Sequence, residues 1–132
     1  MKRQPEFDLQ KRVCAYLRAA HPAVFFMSDT IASLKLTKFQ AVRNSQIQKP
    51  GFKTPDLLIF SPKGNYHGLF IELKIESPYK QNGELKSNKH IQNQGETIAK
   101  LKELGYYADF QWDFNGIVKL IEWYLKLPEH AN

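Results

Sequence analysis

The stretch GLFIELKI, from Gly68 to Ile75, has the apolar content of a buried strand and two opposite charges in its middle. Successive side chains of a strand point to opposite faces of the sheet. The alternation predicts one wholly apolar face: Leu69, Ile71, Leu73 and Ile75. It predicts a second face that carries Phe70, Glu72 and Lys74. The two charges then lie about 7 Å apart on that second face, although a strand with one solvent-exposed face would explain them equally well.

The preceding apolar run, TPDLLIF from Thr54 to Phe60, predicts a neighbouring strand with Asp56 at its start. The intervening SPKGNYHG is rich in turn-forming residues and indicates a hairpin. A hairpin of this length brings Asp56 and Glu72 to the same rim of the sheet. Two carboxylates that close repel unless one is protonated or a cation lies between them. Mg²⁺ or Mn²⁺ is the cation that suits oxygen ligands. The alternative is that Pro55-Asp56 is an ordinary turn with a capping aspartate.

The remaining patterns predict an α/β fold, with a small mixed sheet flanked by helices in the order α-(α)-β-β-α-β-α. PEFDLQKRVCAYLRAA reads as a first helix with an apolar stripe. SLKLTKFQAVRNSQIQ is consistent with a second, basic helix, and ESPYKQNGELKSNKH with a mobile loop. HIQNQGETIAKLKEL predicts a helix closed by Gly105, YYADFQW a strand, and DFNGIVKLIEWYLKL a last helix.

Length and composition fit one soluble domain over residues 1–132. No apolar run is long enough to span a membrane, and the basic N-terminus lacks the apolar run of a secretion signal. The single cysteine, Cys14, excludes an internal disulfide and indicates a reducing compartment. These features predict a cytoplasmic protein, in a bacterium or a phage-infected cell.

Positive charge is concentrated between Asp29 and Asp56, where no acidic residue occurs. The chain as a whole carries a formal charge of +6. This segment contains five cations: Lys35, Lys38, Arg43, Lys49 and Lys53. Together with lysines between Lys80 and Lys89, they could contact phosphates. A solvated lysine-rich face is the alternative.

Aromatic residues cluster near the C-terminus, around Trp112 and Trp123. Such a group can stack on nucleic-acid bases. Their spacing is that of an apolar strand and helix, and it favours a core or an oligomer interface instead.

The combination of Pro55 and Asp56 with Glu72, Leu73 and Lys74 resembles the PD-(D/E)xK nuclease superfamily. The flanking sequence narrows the resemblance. Glu6 is followed by Gln10, Val13 and Leu17 on the first helix, and HIQNQGETIAKLKELGYYADF precedes a closing helix that ends in IEWYLK. This layout, from Glu6 to Lys126, is similar to the virus-type replication-repair nuclease (VRR-NUC) family in its stand-alone phage and bacterial form.

The resemblance implies specific roles for residues of this chain. Asp56 and Glu72 match metal-binding acids, and Lys74 matches the catalytic lysine. Leu73 matches a position whose main-chain carbonyl completes the metal shell. Two further positions match: Glu6 matches an acid on the first helix that helps to hold metal, with Asp8 as its rival, and Gln94 matches a glutamine expected near the site. Lys53 stands where the family often has glycine, with Gly51 a little upstream.

The resemblance also implies an activity. It implies a Mg²⁺-dependent, structure-selective DNA endonuclease that resolves four-way (Holliday) junctions as a homodimer in DNA repair, with no small-molecule cofactor and no membrane partner. Mn²⁺ would substitute for Mg²⁺. Three other readings stay open: a flap- or nick-directed nuclease, a sequence-specific restriction-type enzyme, and a non-catalytic DNA-binding module that keeps the nuclease fold.

Overall fold

The structure, a computed structural model, describes residues 5–29 and 35–130, and the fold is a mixed sheet flanked by helices. In chain order the described elements are α1 (Pro5–Ala20), β1 (Phe26–Ser28), α2 (Lys38–Gln46), β2 (Leu57–Ile59), β3 (Leu69–Leu73), α3 (Lys89–Glu103), β4 (Tyr107–Gln111) and α4 (Phe114–Leu125). No helix within these ranges is long and apolar enough to cross a membrane.

The sheet has the strand order β1-β2-β3-β4. β2 pairs antiparallel with both β1 and β3, while β3 pairs parallel with β4. The predicted hairpin and the predicted mixed α/β class are therefore confirmed. The connection from β3 to β4 runs through α3, as a parallel pair requires.

β1 is an element that the sequence analysis did not predict. Its three residues are too few to show a strand period. Met27 at its centre is exposed. The strand exists because Phe26, Met27 and Ser28 pair with Ile59, Leu58 and Leu57 of β2. A tertiary contact, and not a local pattern, makes this segment extended.

Apolar side chains cover both faces of the sheet. On one face, α1 and α4 pack on the strands through Val13, Leu17, Ile117, Ile121 and Tyr124. On the other, α3 packs through Ile98 and Leu101 on Ala108 and Phe110 of β4. The face of β3 that carries Phe70 and Glu72 is therefore a covered face, and an exposed face no longer explains the acid.

The predicted apolar face of the second strand is correct for Leu69, Ile71 and Leu73, which are buried. It is wrong for Ile75, which is 58% exposed. β3 ends at Leu73, so alternation no longer applies two residues later. Ile75 lies on the surface.

Two segments differ from their predictions. The basic helix is shorter than its 16-residue pattern: α2 begins after a capping box at Thr37, and residues 33–34 lie outside the described ranges. The segment predicted as a mobile loop forms a turn in which Tyr79 bridges Leu85. Both side chains pack on the α3 layer. This packing ties the loop to the sheet.

Gly105 ends α3 as predicted, with a φ of +97°. A side chain at this position would be strained, since L-residues rarely adopt that backbone conformation. Its Cβ would also lie 2.5 Å from Cδ2 of His67. The glycine lets the chain turn tightly from α3 into β4.

Candidate active site

Asp56 and Glu72 come together where β2 begins and β3 ends. Leu57 pairs with Ile71. Continuing this antiparallel register by one residue puts Asp56 opposite Glu72, and directly opposite side chains share one face. Asp56 Oδ2 accepts a hydrogen bond of 2.9 Å from the Leu73 amide. The hairpin therefore produces the predicted pair of acids.

Glu72 is an unusual carboxyl group because only 9% of its surface is exposed. The pKa of Glu72 is raised to about 9. Burial is the largest cause of this rise, and the negative charge of the neighbouring Asp56 is the second. A hydrogen bond with the Asp56 side chain also raises the pKa of Glu72. Lys74 acts in the opposite direction, because its positive charge lowers the pKa of Glu72.

Gln94 on α3 reaches the same pair. Its Nε2 donates a 2.8 Å hydrogen bond to Glu72 Oε1. Its Oε1 is buried and has no hydrogen-bond partner among the described residues. A buried amide oxygen without a donor is costly. The structure thus places Gln94 beside Glu72 and leaves its side-chain oxygen without a hydrogen-bond donor.

Leu73 contributes its main chain, while its side chain is buried in the core. Its amide points at Asp56. The N–H and C=O of one strand residue face the same neighbouring strand. Its carbonyl oxygen therefore faces the Asp56 side of the sheet.

Gln10 is a site-supporting residue that the sequence analysis quoted without giving it a role. It is 9% exposed on α1, on the stripe that carries Val13 and Leu17. Its Nε2 donates to the hydroxyl of Ser28 and, at 2.8 Å, to the carbonyl of Asp29. Ser28 Oγ in turn donates to the Asp56 carbonyl at 2.9 Å. The feature of the sequence that could have indicated this role is a glutamine on an otherwise apolar helical stripe.

The two acids on the first turn of α1 are both exposed. Glu6, and not Asp8, is among the charges that raise the pKa of Glu72. In the described part of the chain, no three His, Cys, Asp or Glu side chains gather into a metal-binding group. Glu6 therefore acts on the pair by its charge, and its direct contact with a metal stays a prediction.

The five predicted phosphate-contacting cations are all exposed. Lys38 and Arg43 lie on α2, none of whose residues is buried. Lys49 and Lys53 follow on the segment that leads to Asp56. Lys35 precedes α2. The structure thus places a solvent-exposed basic segment immediately before the acidic pair.

The two tryptophans are not core residues, so the core interpretation of the aromatic cluster is wrong for them, while the oligomer-interface interpretation stays a prediction. Trp112 is 37% exposed and Trp123 is 48% exposed. Trp112 follows β4, whereas Trp123 lies on α4 with its ring against Tyr107. They belong to different surfaces.

The donor set at the pair fits a hard divalent cation. Asp56 and Glu72 supply two carboxyl groups that repel each other when both are ionised, which a cation between them would relieve. Mg²⁺ is commonly held by one or two carboxylates and keeps several waters. Asp56, Glu72 and the Leu73 carbonyl would hold such an ion, and a third acid is not required.

Comparisons with known proteins agree with this architecture. No protein-family model and no curated protein matches the chain. A solved structure described as a VRR_NUC domain protein matches with a TM-score of 0.64 and 24% sequence identity. The match covers 99% of this chain and 96% of the other.

The chain has the VRR_NUC fold. The resemblance seen in the sequence is therefore confirmed for the fold. Coverage of nearly the whole of both chains means that α1, which carries Glu6 and Gln10, lies within the matched region. The acidic pair and Lys74 lie on the central hairpin of this fold.

Proposed function

We propose that this protein is a metal-dependent nuclease of the VRR-NUC family that hydrolyses phosphodiester bonds in DNA. The observation that carries the proposal is the half-buried Asp56 opposite the buried Glu72, whose pKa is lowered by the charge of Lys74. Burial and a neighbouring like charge both disfavour an ionised carboxylate, so this arrangement costs stability in the absence of a cation. The VRR_NUC fold and the adjacent basic segment support a nucleic-acid substrate.

The residues at and around the acidic pair have distinct parts in the proposed reaction. When bound, Mg²⁺ or Mn²⁺ would neutralise charge on the phosphate and lower the pKa of a water molecule. Asp56 and Glu72 hold the ion, and the Leu73 amide fixes the orientation of Asp56. Gln94 fixes Glu72. Lys74 orients the attacking water and stabilises negative charge that develops on the phosphate oxygens.

The substrate we propose is branched DNA, with Holliday-junction resolution as the leading activity. Two copies related by a two-fold axis would make two symmetric cuts. The junction and the dimer both follow from the family resemblance.

The experiment that tests the proposal uses labelled four-way, flap, nicked and linear DNA. The protein is incubated with each in Mg²⁺, in Mn²⁺ and in EDTA. We expect cuts near the branch that require the divalent ion. Binding to all substrates without cutting in either metal would instead support a non-catalytic DNA-binding module.

The basic segment gives a separate prediction. Each cation that contacts a DNA phosphate contributes roughly 0.9 to the slope of log affinity against log salt concentration. Replacing Lys38, Arg43, Lys49 and Lys53 together by glutamine is expected to lower this slope by about 2 to 4. Fluorescence anisotropy in EDTA at several salt concentrations measures it.

The matched control for this prediction replaces Lys100 and Lys102, two exposed cations in the last turn of α3. It should leave the salt slope nearly unchanged. If both variants lower the slope equally, the DNA contacts are spread over the whole surface and the proposed location is wrong.

A further inference from the structure

A groove is lined by residues from the start of α1, the segment after β3 and the start of α4. Its volume is about 370 Å³. Two of its lining residues are chain neighbours of proposed site residues, because Pro5 precedes Glu6 and Ile75 follows Lys74. A group bound in the groove would therefore lie against the two segments that carry Glu6 and Lys74.

The groove has an apolar wall made by Trp112 and Ile75. Both are large apolar residues that remain well exposed, at 37% and 58%. Leu73 pairs with Gln111, so Trp112 follows β4 alongside Lys74. The ring of Tyr79 packs edge-on against Trp112 with centroids 5.9 Å apart. This contact holds an indole ring in place at the edge of the proposed site.

The groove is also lined by Arg12, which supplies a positive charge. The Arg12 guanidinium lies over the Phe114 ring, 4.2 Å from its centroid. Such stacking holds a guanidinium in place while leaving its N–H groups free to bind anions. The nearby Asp113 carboxylate is already engaged, since it accepts a 3.1 Å hydrogen bond from the Gly116 amide and caps α4.

We propose that this groove binds one unpaired nucleotide of the DNA strand that is cut, with its base against Trp112 and its phosphate near Arg12. The inference rests on the proposed nuclease function and names its substrate class. A base inside a continuous duplex has both faces covered by its neighbours and cannot reach the indole. The substrate therefore has an unpaired base beside the cut, as in a flap, a splayed arm or an opened junction.

The test compares Trp112→Ala with Trp112→Phe by equilibrium binding in EDTA, so that cleavage does not enter. Base stacking on an aromatic ring predicts a loss of about 5- to 150-fold for the alanine variant on duplex carrying an oligothymidine flap. Affinity for the matched linear duplex should change less than about twofold. Phenylalanine keeps a stacking face and should restore most of the affinity. Trp123→Ala, which removes the other exposed tryptophan, is the control.

A direct readout comes from Trp123→Phe, which leaves Trp112 as the sole tryptophan. Its fluorescence should be quenched by the flap substrate and not by the duplex. Equal affinity losses on flap and duplex, or no quenching by the flap, would overturn the inference. Discrimination and quenching without metal-dependent cutting of any substrate would refute the proposed nuclease function while upholding the groove as a nucleotide-binding site.

Discussion

Replacing Asp56 with asparagine is expected to reduce metal-dependent DNA cleavage by at least roughly 10³-fold, a loss of about 4 kcal/mol of transition-state stabilisation. Asparagine keeps the oxygen that accepts the hydrogen bond from the Leu73 amide. It removes the negative charge that a divalent cation requires. The fold should therefore persist while the metal is lost.

Two measurements check this prediction. Single-turnover cleavage of branched DNA in Mg²⁺ gives the rate, and binding in EDTA shows that the DNA surface is intact. Glu103→Gln removes an exposed acid at the far end of α3 and should cut DNA within about twofold of the unchanged protein. An Asp56→Asn protein that cut at close to the normal rate would eliminate the acidic pair as the metal site.

Replacing Glu72 with glutamine is expected to have opposite effects on activity and stability. Cleavage should fall by a similar factor, since the second metal ligand loses its charge. The metal-free protein should become more stable at pH 8, by roughly 2 kcal/mol or about 6–10 °C in Tm. Glutamine removes the cost of burying an ionisable carboxyl group next to Asp56.

The pH dependence gives the sign of this effect. In the folded metal-free protein the pKa of Glu72 is raised to about 9, whereas an unfolded glutamate has a pKa of about 4.3. Between these values the folded state retains a proton that the unfolded state has released. The stability of the metal-free protein should therefore fall as pH rises through this window.

Thermal melts of the Glu72→Gln variant, the unchanged protein and Glu103→Gln, recorded in EDTA from pH 5 to pH 9, measure the difference. Only Glu72→Gln should flatten the pH dependence. Mg²⁺ should then raise the Tm of the unchanged protein and not that of Glu72→Gln. If the glutamine variant were less stable than the unchanged protein at pH 8, burial of the Glu72 carboxyl group would not be destabilising, and its charge would instead stabilise the fold.

The acidic pair could be predicted from the sequence because local sequence patterns determine it. Strand alternation, the turn-rich loop and the hairpin length together place Asp56 near Glu72. The wrong placement of Ile75 came from extending the alternation past the end of β3 at Leu73. Local patterns predict the direction of a side chain only as long as the strand continues.

The parts that the sequence did not reveal depend on distant contacts. β1 is extended because it pairs with β2, about thirty residues later in the chain. The face of β3 that looked exposed is covered by α3, whose position depends on the parallel pairing with β4. The support that Gln10 gives to the Asp56 main chain joins three elements and has no signature within any of them.

The hydrogen bonds that hold Asp56 come from several elements of the fold, and this determines when the proposed site is assembled. Its carboxylate is oriented by β3, and its main chain is held through β1 and Gln10 on α1. Glu72 in turn depends on Gln94 from α3. A nascent or partly unfolded chain therefore lacks an assembled centre, and the proposed DNA cleavage would arise only in molecules that have finished folding.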